Sequence, residues 1–300
     1  MKSYFSTLTR RQFLQLAGSM AALLTSTFGY SRYIAPQWIK LEEIDLTIPT
    51  LPDRLVGKRL VQLSDIHLGA YFSQEQLADA IQQANRLKPD WLIITGDYVT
   101  VKHEQHQLLP QKIAELIEPL RLAKMPVYAS LGNHDLWSHH TLAIIQALGE
   151  GRATVLRNSN AQVSDGLWLA GIDDAWGGNP NLRAAMDGIP SGIPSEATTL
   201  LLAHEPDFID HVAIHNAPVA VQFSGHSHGG QVRIPTPMAG EDGRFSRALV
   251  LPHMSERYPI GLRTVGKHSV YTSRGLGAWP VPIRFNCPPE ITLFTLKKSA

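Results

Sequence analysis

Five short polar motifs in this chain combine residue types that bind metal ions and transfer protons. In chain order they are Asp65-x-His67, Gly96-Asp97, Gly132-Asn133-His134-Asp135, His204-Glu205 and Gly225-His226-Ser227-His228-Gly229-Gly230. Carboxylate, amide and imidazole ligands without a thiolate suit Mn, Fe or Zn rather than a structural thiolate zinc site. Any one of these motifs alone is typical of a turn or a hydrogen-bonded pair. Because all five occur in order, we interpret them together as a metal site.

Each motif follows a short apolar run that predicts a strand. The runs are residues 60–63, 91–95, 127–130, 199–202 and 219–223. Further strands are predicted at residues 167–172, 269–272 and 291–296, and helices at residues 73–86, opened by a capping box, and 105–122. This alternation favours an α/β fold with strands in a layered sheet. The motifs would then lie at the carboxyl ends of the strands, where ligands collect in such folds.

Composition excludes several classes of protein. Hydrophobic residues make up 44% of the 300 residues, which is enough to build a core and excludes a disordered chain. The single cysteine, Cys287, excludes an internal disulfide framework and a cysteine zinc site, and we expect it to be a small buried residue. With 27 basic and 26 acidic residues and no basic run, nucleic acid is not an expected partner. No repeat or linker divides residues 36–300, so one domain is predicted there.

The first 35 residues have the layout of an export signal. Residues 1–30 contain Lys2, Arg10 and Arg11 but no acidic residue, and residues 12–31 are uncharged. The order Thr9-Arg10-Arg11-Gln12-Phe13-Leu14 resembles a twin-arginine signal, which predicts the twin-arginine export machinery as a partner. The protein is therefore predicted to be exported across the bacterial cytoplasmic membrane or anchored to it. Anchoring is included because no clear cleavage site follows the signal. A surface helix with two adjacent arginines is the alternative.

The ordered motifs resemble the calcineurin-like metallophosphoesterase family. Its pattern of D-x-H, G-D, G-N-H-D/E, H and G-H-x-H is met over residues 60–230 with no ligand missing. Matches at residues 63–69, 203–207, 228–231 and 273–277 extend the resemblance to residues 40–297 and make the chain similar to the exported branch of the family. The resemblance implies two mixed β-sheets packed as a sandwich and flanked by helices, with a dinuclear metal site at the strand ends.

The resemblance also implies a role for each motif residue. One divalent ion (Mn, Fe or Zn) would be held by Asp65, His67, Asp97 and His228, and a second by Asp97, Asn133, His204 and His226. Asp97 would bridge the two ions, which activate a water molecule to attack phosphorus and offset charge on the phosphoryl oxygens. His134 would assist the leaving group as a general acid. Asp135 would orient the imidazole of His134.

The function implied is that of a metal-dependent phosphodiesterase or phosphomonoesterase of the bacterial envelope, with a phosphate ester of phospholipid or cell-wall origin as substrate. One alternative is a pyrophosphatase acting on a nucleotide-sugar lipid of the UDP-diacylglucosamine type. Another is a catalytically silent, metal-dependent binding module. The loops at residues 174–198 and 236–262 are expected to decide between monoesters and diesters. Arg274 stays open between phosphate binding and a structural salt bridge.

Overall fold

The computed structural model describes residues 9–190, 197–237 and 246–299. Lys2 of the predicted export signal, residues 191–196 of the loop 174–198 and residues 238–245 of the loop 236–262 lie outside the described residues. The helices are α1 (Arg10–Gly29), α2 (Gln74–Arg86), α3 (Leu109–Ala114), α4 (Ile117–Arg121), α5 (Asn133–Trp137), α6 (Thr141–Glu150), α7 (Leu182–Ala185) and α8 (Ile209–Ile214). Short 3-10 and π-helical turns join several of them.

The strands of the described chain form two large mixed sheets, one small parallel pair and one small antiparallel pair. In chain order they are β1 (Lys40–Thr47), β2 (Arg59–Leu63), β3 (Leu68–Gly69), β4 (Trp91–Thr95), β5 (Val99–Thr100), β6 (Val127–Ser130), β7 (Ala153–Val155), β8 (Ser159–Ser164), β9 (Leu167–Gly171), β10 (Thr198–Leu202), β11 (Val221–Ser224), β12 (Arg233–Pro235), β13 (Ser246–Ala248), β14 (Gly261–Val265), β15 (His268–Thr272) and β16 (Glu290–Lys297).

The first large sheet has the order β1-β16-β2-β4-β6-β7, and the second has the order β14-β15-β11-β10-β9-β8. In the first sheet β2, β4, β6 and β7 run parallel to one another, and in the second β9, β10, β11 and β15 do so. Parallel neighbours end on the same edge of a sheet. The segments that follow these strands are therefore brought together at one edge of each sheet.

Alternation of side chains along the strands builds the layers. In β4, Leu92 and Ile94 pack with helices α2, α3, α4 and α6 on the outer face of the first sheet. Ile93 of the same strand faces the opposite way and packs between the sheets with Leu200 of β10. Leu201 of β10 then contacts α7 and α8 on the far side. The result is a sandwich of two mixed sheets flanked by helices, which confirms the predicted fold class.

The predicted strands are confirmed, with ends that move by two residues or fewer. The segment 105–122, predicted to be helical, is helical in three pieces: a 3-10 helix over His103–Leu108 precedes α3, and α3 and α4 are separate. Pro119 explains the break after Ala114, because proline has no N–H to donate to the carbonyl four residues earlier. The capping box predicted at the start of α2 is present at Ser73 and Gln76.

Helix α1 carries most of the predicted export signal. It begins with a capping box in which the Thr9 hydroxyl accepts from the Gln12 amide and the Gln12 side chain accepts from the Thr9 amide. No residue of α1 is buried. None of the helices in the described ranges has the length and apolar character needed to cross a membrane. Export and the division at residue 35 stay predictions.

Candidate metal centre

Five of the motif residues adopt backbone conformations that residues other than glycine seldom take. Asp65, His67, Asp97, His226 and His228 have φ angles of 48°, 46°, 59°, 67° and 50°. A left-handed φ at a residue other than glycine is energetically unfavourable and persists only when the surrounding structure enforces it. The hydrogen bonds around each residue provide that enforcement. For example, the Asp65 amide donates to the carbonyl of Gly96 over 3.1 Å.

Asp65, His67 and His228 bring one nitrogen or oxygen each to a common point. The Nε2 atoms of the two imidazoles are 2.9 Å apart, and Nε2 of His228 is 3.6 Å from Oδ1 of Asp65. On the far side of its ring, Nδ1 of His67 lies 2.7 Å from the Thr100 hydroxyl. Such a partner fixes the ring so that Nε2 presents its lone pair to the centre.

Asp97 and His204 form the adjoining part of the cluster. Oδ2 of Asp97 lies 3.3 Å from Nε2 of His204 and 3.5 Å from Nε2 of His67, so this carboxylate stands between the two imidazoles. Nδ1 of His204 lies 2.6 Å from the carbonyl oxygen of Thr95, to which it donates. Nε2 of His204 has no hydrogen-bond partner and lies 4.0 Å from Oδ1 of Asp65.

Asn133 and His226 complete the side of the cluster next to Asp65. Oδ1 of Asn133 is 2.9 Å from Nδ1 of His226, and the His226 amide donates to Oδ1 of Asp65 over 2.8 Å. Nε2 of His226 lies 2.8 Å from the carbonyl oxygen of His253, to which it donates. All seven side chains that the sequence predicted as metal ligands are therefore buried in one cluster.

The last two predicted residues, His134 and Asp135, lie at the start of α5 and differ in surroundings. The His134 amide donates to Oδ1 of Asp97 over 2.9 Å, and the centroid of its ring lies 4.9 Å from that of His67 at the edge of the cluster. The sequence suggested that Asp135 orients the ring of His134, but its carboxylate is directed elsewhere. Its carboxylate instead accepts hydrogen bonds from the amides of Asp97, Tyr98 and Gly132. Both oxygens are thereby occupied in fixing the loops that carry the cluster.

Burial and the neighbouring charges shift the pKa values of the cluster residues in different directions. Burial lowers the pKa of His67 and of His226 to about 3, so both imidazoles are neutral and can bind a cation. Burial raises the pKa of Asp65 to about 6, a cost that a bound cation would reverse. For His204, burial lowers the pKa, but the Asp97 carboxylate outweighs burial and raises it well above the usual value. A positive charge at this point is thus stabilised by the protein.

The donor set fits metal ions. The carboxylate and imidazole atoms form three overlapping groups, each with its ligand atoms within 4.8 Å of one another: Asp65, His67 and His228; His67, Asp97 and His134; and Asp65, Asp97 and His204. Oδ2 of Asp65 and Nε2 of His204 are buried without a hydrogen-bond partner, although buried polar atoms are normally satisfied. A cation at the centre would satisfy both atoms.

Comparison with known proteins decides the family. Residues 58–230 match the model of the calcineurin-like phosphoesterase family. The chain belongs to that family. The metallophosphoesterase YkuE of Bacillus subtilis is 34% identical over 97% of this chain and 99% of its own. Phosphodiesterase YaeI of Escherichia coli is 29% identical over 96% of this chain and 99% of its own.

A third relative is the UDP-2,3-diacylglucosamine pyrophosphatase LpxG of Chlamydia trachomatis, 26% identical over 93% of this chain and 96% of its own. Calcineurin-like phosphoesterases depend on metal ions, and this member has Asp and His groups that can hold them. The chain is therefore a hydrolase that acts on phosphoric esters.

Three tryptophans around the centre of this calcineurin-like phosphoesterase were not singled out from the sequence. The ring of Trp279 lies 5.6 Å from that of His134, and Trp137 lies 5.6 Å from His134 on another side. Trp176 lies 5.6 Å from the ring of His226. The six tryptophans are scattered along the chain, so only the position of Trp137 three residues after His134 could have signalled this.

The structure settles the open question about Arg274. Its guanidinium is 2.6 Å from the carboxylate of Glu290 and 2.7 Å from that of Glu42, and the residue is 3% exposed. Arg274 therefore forms a buried structural salt bridge. Cys287 is buried, as expected, and its thiol lies 3.4 Å from the carbonyl oxygen of His228.

Proposed function

We propose that this protein is a metal-dependent phosphoesterase of the bacterial envelope that hydrolyses phosphodiesters or phosphomonoesters. The observation that carries the proposal is the convergence of buried Asp and His side chains within 4.8 Å of one another in three overlapping groups. His134 stands at the edge of the same cluster, where it can reach a bound ester. No other feature of the described chain combines ligands and a proton donor in this way.

In the proposed centre seven side chains would hold two divalent ions, Mn, Fe or Zn. They are Asp65, His67, Asp97, Asn133, His204, His226 and His228, of which Asp97 would be shared by both ions. When bound, the ions supply an activated water molecule and offset the charge on the phosphoryl oxygens. The ligand set accepts several metals of this group, so availability decides which one is loaded.

The protein's own contribution to the reaction comes from His134. Burial lowers the pKa of its imidazole and outweighs the opposing effect of the Asp97 carboxylate. An anionic phosphate next to the ring would raise the pKa again and favour the protonated form. In that form His134 donates a proton to the departing alkoxide, a contribution of about 10²–10⁴ in rate for a general acid.

The sequence of the first helix supports the envelope as the location. Arg10 and Arg11 follow the capping residue Thr9 and precede residues 12–31, which carry no charge. We propose that the twin-arginine machinery exports the protein and that α1 associates with the membrane. Replacing Arg10 and Arg11 by lysine should leave the protein inside a bacterium that possesses this machinery. Equal external amounts of the wild type and the double variant would exclude this route.

A pyrophosphatase that cleaves a nucleotide-sugar lipid is the second candidate, and the relationship to LpxG favours it. Export argues against it, because nucleotide-activated lipid precursors are made on the cytoplasmic side. A silent binding module would be expected to have lost a ligand or the histidine at position 134, and all of them are present.

The test is hydrolysis by the full chain after chelator treatment and separate reloading with Mn, Zn or Fe. Bis-p-nitrophenyl phosphate and p-nitrophenyl phosphate are compared. We expect metal-restored turnover that Asp97→Asn abolishes and that His215→Ala, at an exposed histidine of the second sheet's outer layer, leaves unchanged. Bound metal without turnover of either ester would favour the silent module. Turnover that does not depend on added metal would contradict the proposal.

A further inference from the structure

A groove of about 490 Å³ extends from the metal centre to the surface. Its inner end contains Asp97, Asn133, His134, His226 and His228, the polar groups described above. Beyond them the lining is almost entirely apolar, and its outer part includes Trp137, Trp176, Val232, Leu249, Val250 and Val281. We call this outer part the apolar groove. None of the described residues that line either part is lysine or arginine.

The walls of the apolar groove are tied together by hydrogen bonds. The Leu249 amide donates to the carbonyl of Val232 over 3.1 Å. The side chain of Gln231 donates to the carbonyl of Trp279 over 2.6 Å and accepts from the Trp279 amide over 3.1 Å. These hydrogen bonds fix three separate chain segments relative to one another. The groove is preformed, which reduces the entropy lost when a ligand enters it.

Water-facing apolar side chains line the mouth of the apolar groove. Leu249 is 63% exposed, Val250 76% and Val281 47%. Clustered apolar exposure of this kind next to a polar site is typical of a binding surface for an apolar group. Since the polar inner end is suited to phosphate, the ligand that matches the whole groove has a phosphate ester at one end and hydrocarbon at the other.

Of the three tryptophans that line the groove, Trp137 and Trp176 do not form a slot for a nucleobase. The rings of Trp137 and Trp176 are in edge-to-face contact, with centroids 4.6 Å apart and planes at 75°. A base therefore cannot enter between them, because aromatic rings already fill that distance. What the pair offers to a ligand is an apolar surface. A hydrocarbon chain can lie against it without any specific hydrogen bond.

The N-terminal helix leaves the fold beside the same wall. The Arg284 amide, three residues beyond Val281, donates to the carbonyl of Ser31 over 3.0 Å. Helix α1 ends two residues before Ser31, and its large apolar side chains are exposed: Phe13, Leu14, Leu16, Met20, Leu23, Leu24 and Phe28. An exposed apolar helix next to an apolar groove favours a membrane surface as the source of the ligand.

We propose that the apolar groove binds the hydrocarbon chain of a membrane lipid whose phosphate ester lies at the metal centre. This inference rests on the proposed phosphoesterase function and adds the class of substrate. It predicts that the rate of hydrolysis depends on the length of an alkyl group that takes no part in the chemistry. Burial of each methylene corresponds to a gain of about fourfold in kcat/KM.

The experiment uses the full chain loaded with metal and three p-nitrophenyl phosphodiesters that share the leaving group. Their second substituents are methyl, octyl and thymidine 5′-yl, and all are used below micelle-forming concentrations. We expect kcat/KM for the octyl ester to exceed that for the methyl ester by on the order of a hundredfold, if three or four methylenes become buried. The thymidine ester should resemble the methyl ester.

A matched pair of variants locates the effect. Leu249→Asn in the groove should lower the octyl-to-methyl ratio by at least about fourfold, whereas Leu142→Asn should leave both rates unchanged, since Leu142 is 79% exposed on α6 and does not line the groove. A ratio near one, an unchanged ratio in Leu249→Asn, or a preference for the thymidine ester would overturn the proposal while leaving a functioning phosphoesterase. No hydrolysis of any ester would instead overturn the proposed function itself.

Discussion

The carboxylate of Asp135 provides a sharp test of how the loops of the metal centre are held. It is fully buried and accepts three backbone hydrogen bonds, over 2.9 Å from Asp97, 2.8 Å from Tyr98 and 2.8 Å from Gly132. Asp135→Ala leaves three buried N–H groups without an acceptor. At about 1–3 kcal/mol for each, the free energy of unfolding should fall by about 3–9 kcal/mol. That loss is comparable with the whole stability of a typical domain, about 5–15 kcal/mol.

Asp135→Asn should cost less, and the structure indicates how much. The amide oxygen of asparagine can still accept from Asp97 and Gly132, but its NH₂ group then faces the Tyr98 amide. One acceptor is lost, so the expected cost is about 1–3 kcal/mol. The expected order of stability is therefore wild type, Asp135→Asn, Asp135→Ala.

Urea denaturation of the metal-free full chain measures these differences, with the exposed carboxylate of Asp187 as control. Asp187→Ala and Asp187→Asn should unfold at the same urea concentration as the wild type, with the same slope. If Asp135→Ala were as stable as the wild type and only its turnover were lost, the carboxylate would act through the imidazole of His134 instead. That result would refute a structural role for Asp135 in holding the loops.

Three further predictions concern His134, Gly225 and Arg274. His134→Ala should lower kcat by about 10²–10⁴ for a diester with an alkyl leaving group. The loss should be much smaller for a p-nitrophenyl ester, because p-nitrophenolate leaves without protonation. Equal losses for the two esters would exclude a general-acid role. Gly225→Ala should reduce the affinity for metal, measured by titration, because the new methyl group would meet the carboxylate of Asp65. Gly149→Ala is the control: its methyl group meets nothing within 4 Å, and it should stabilise the chain by about 0.5–1 kcal/mol. Arg274→Met should lower the free energy of unfolding, measured by urea denaturation, by about 3–5 kcal/mol, because it leaves the buried Glu290 carboxylate without its cationic partner. A normal stability with an impaired KM would show instead that the guanidinium binds substrate.

The central strands could be predicted because their residues are buried on both faces. Trp91–Thr95 is apolar at its first four residues and lies between helices and the second sheet, so its sequence alone indicates a buried strand. Strand β1, Lys40–Thr47, was not predicted. It is a largely exposed edge strand with four charged residues, and its pairing with β16 comes from a segment 250 residues further along the chain. No local pattern carries that information.

The residues of the cluster could be predicted from the sequence, but the groups that hold them in place by hydrogen bonds could not. The ligand motifs are contiguous in sequence and each follows a strand, so their meeting at one edge follows from the topology of the sheets. The partners of the ligands are not contiguous with them. Thr100 beside His67, and the carbonyl of His253 beside His226, come from loops whose sequences show no motif. The role of Asp135 was misjudged because sequence proximity to His134 says nothing about the direction of its side chain.

The central claim is that the buried Asp and His cluster holds metal ions and that these ions make the protein a phosphoesterase. The most direct measurement is the metal content of the reloaded full chain by elemental mass spectrometry, together with turnover of bis-p-nitrophenyl phosphate, for the wild type, Asp97→Asn and Asp187→Asn. We expect bound metal and turnover in the wild type and Asp187→Asn, and loss of both in Asp97→Asn. A wild type that binds no metal, or an Asp97→Asn variant that keeps its metal and its turnover, would contradict the claim.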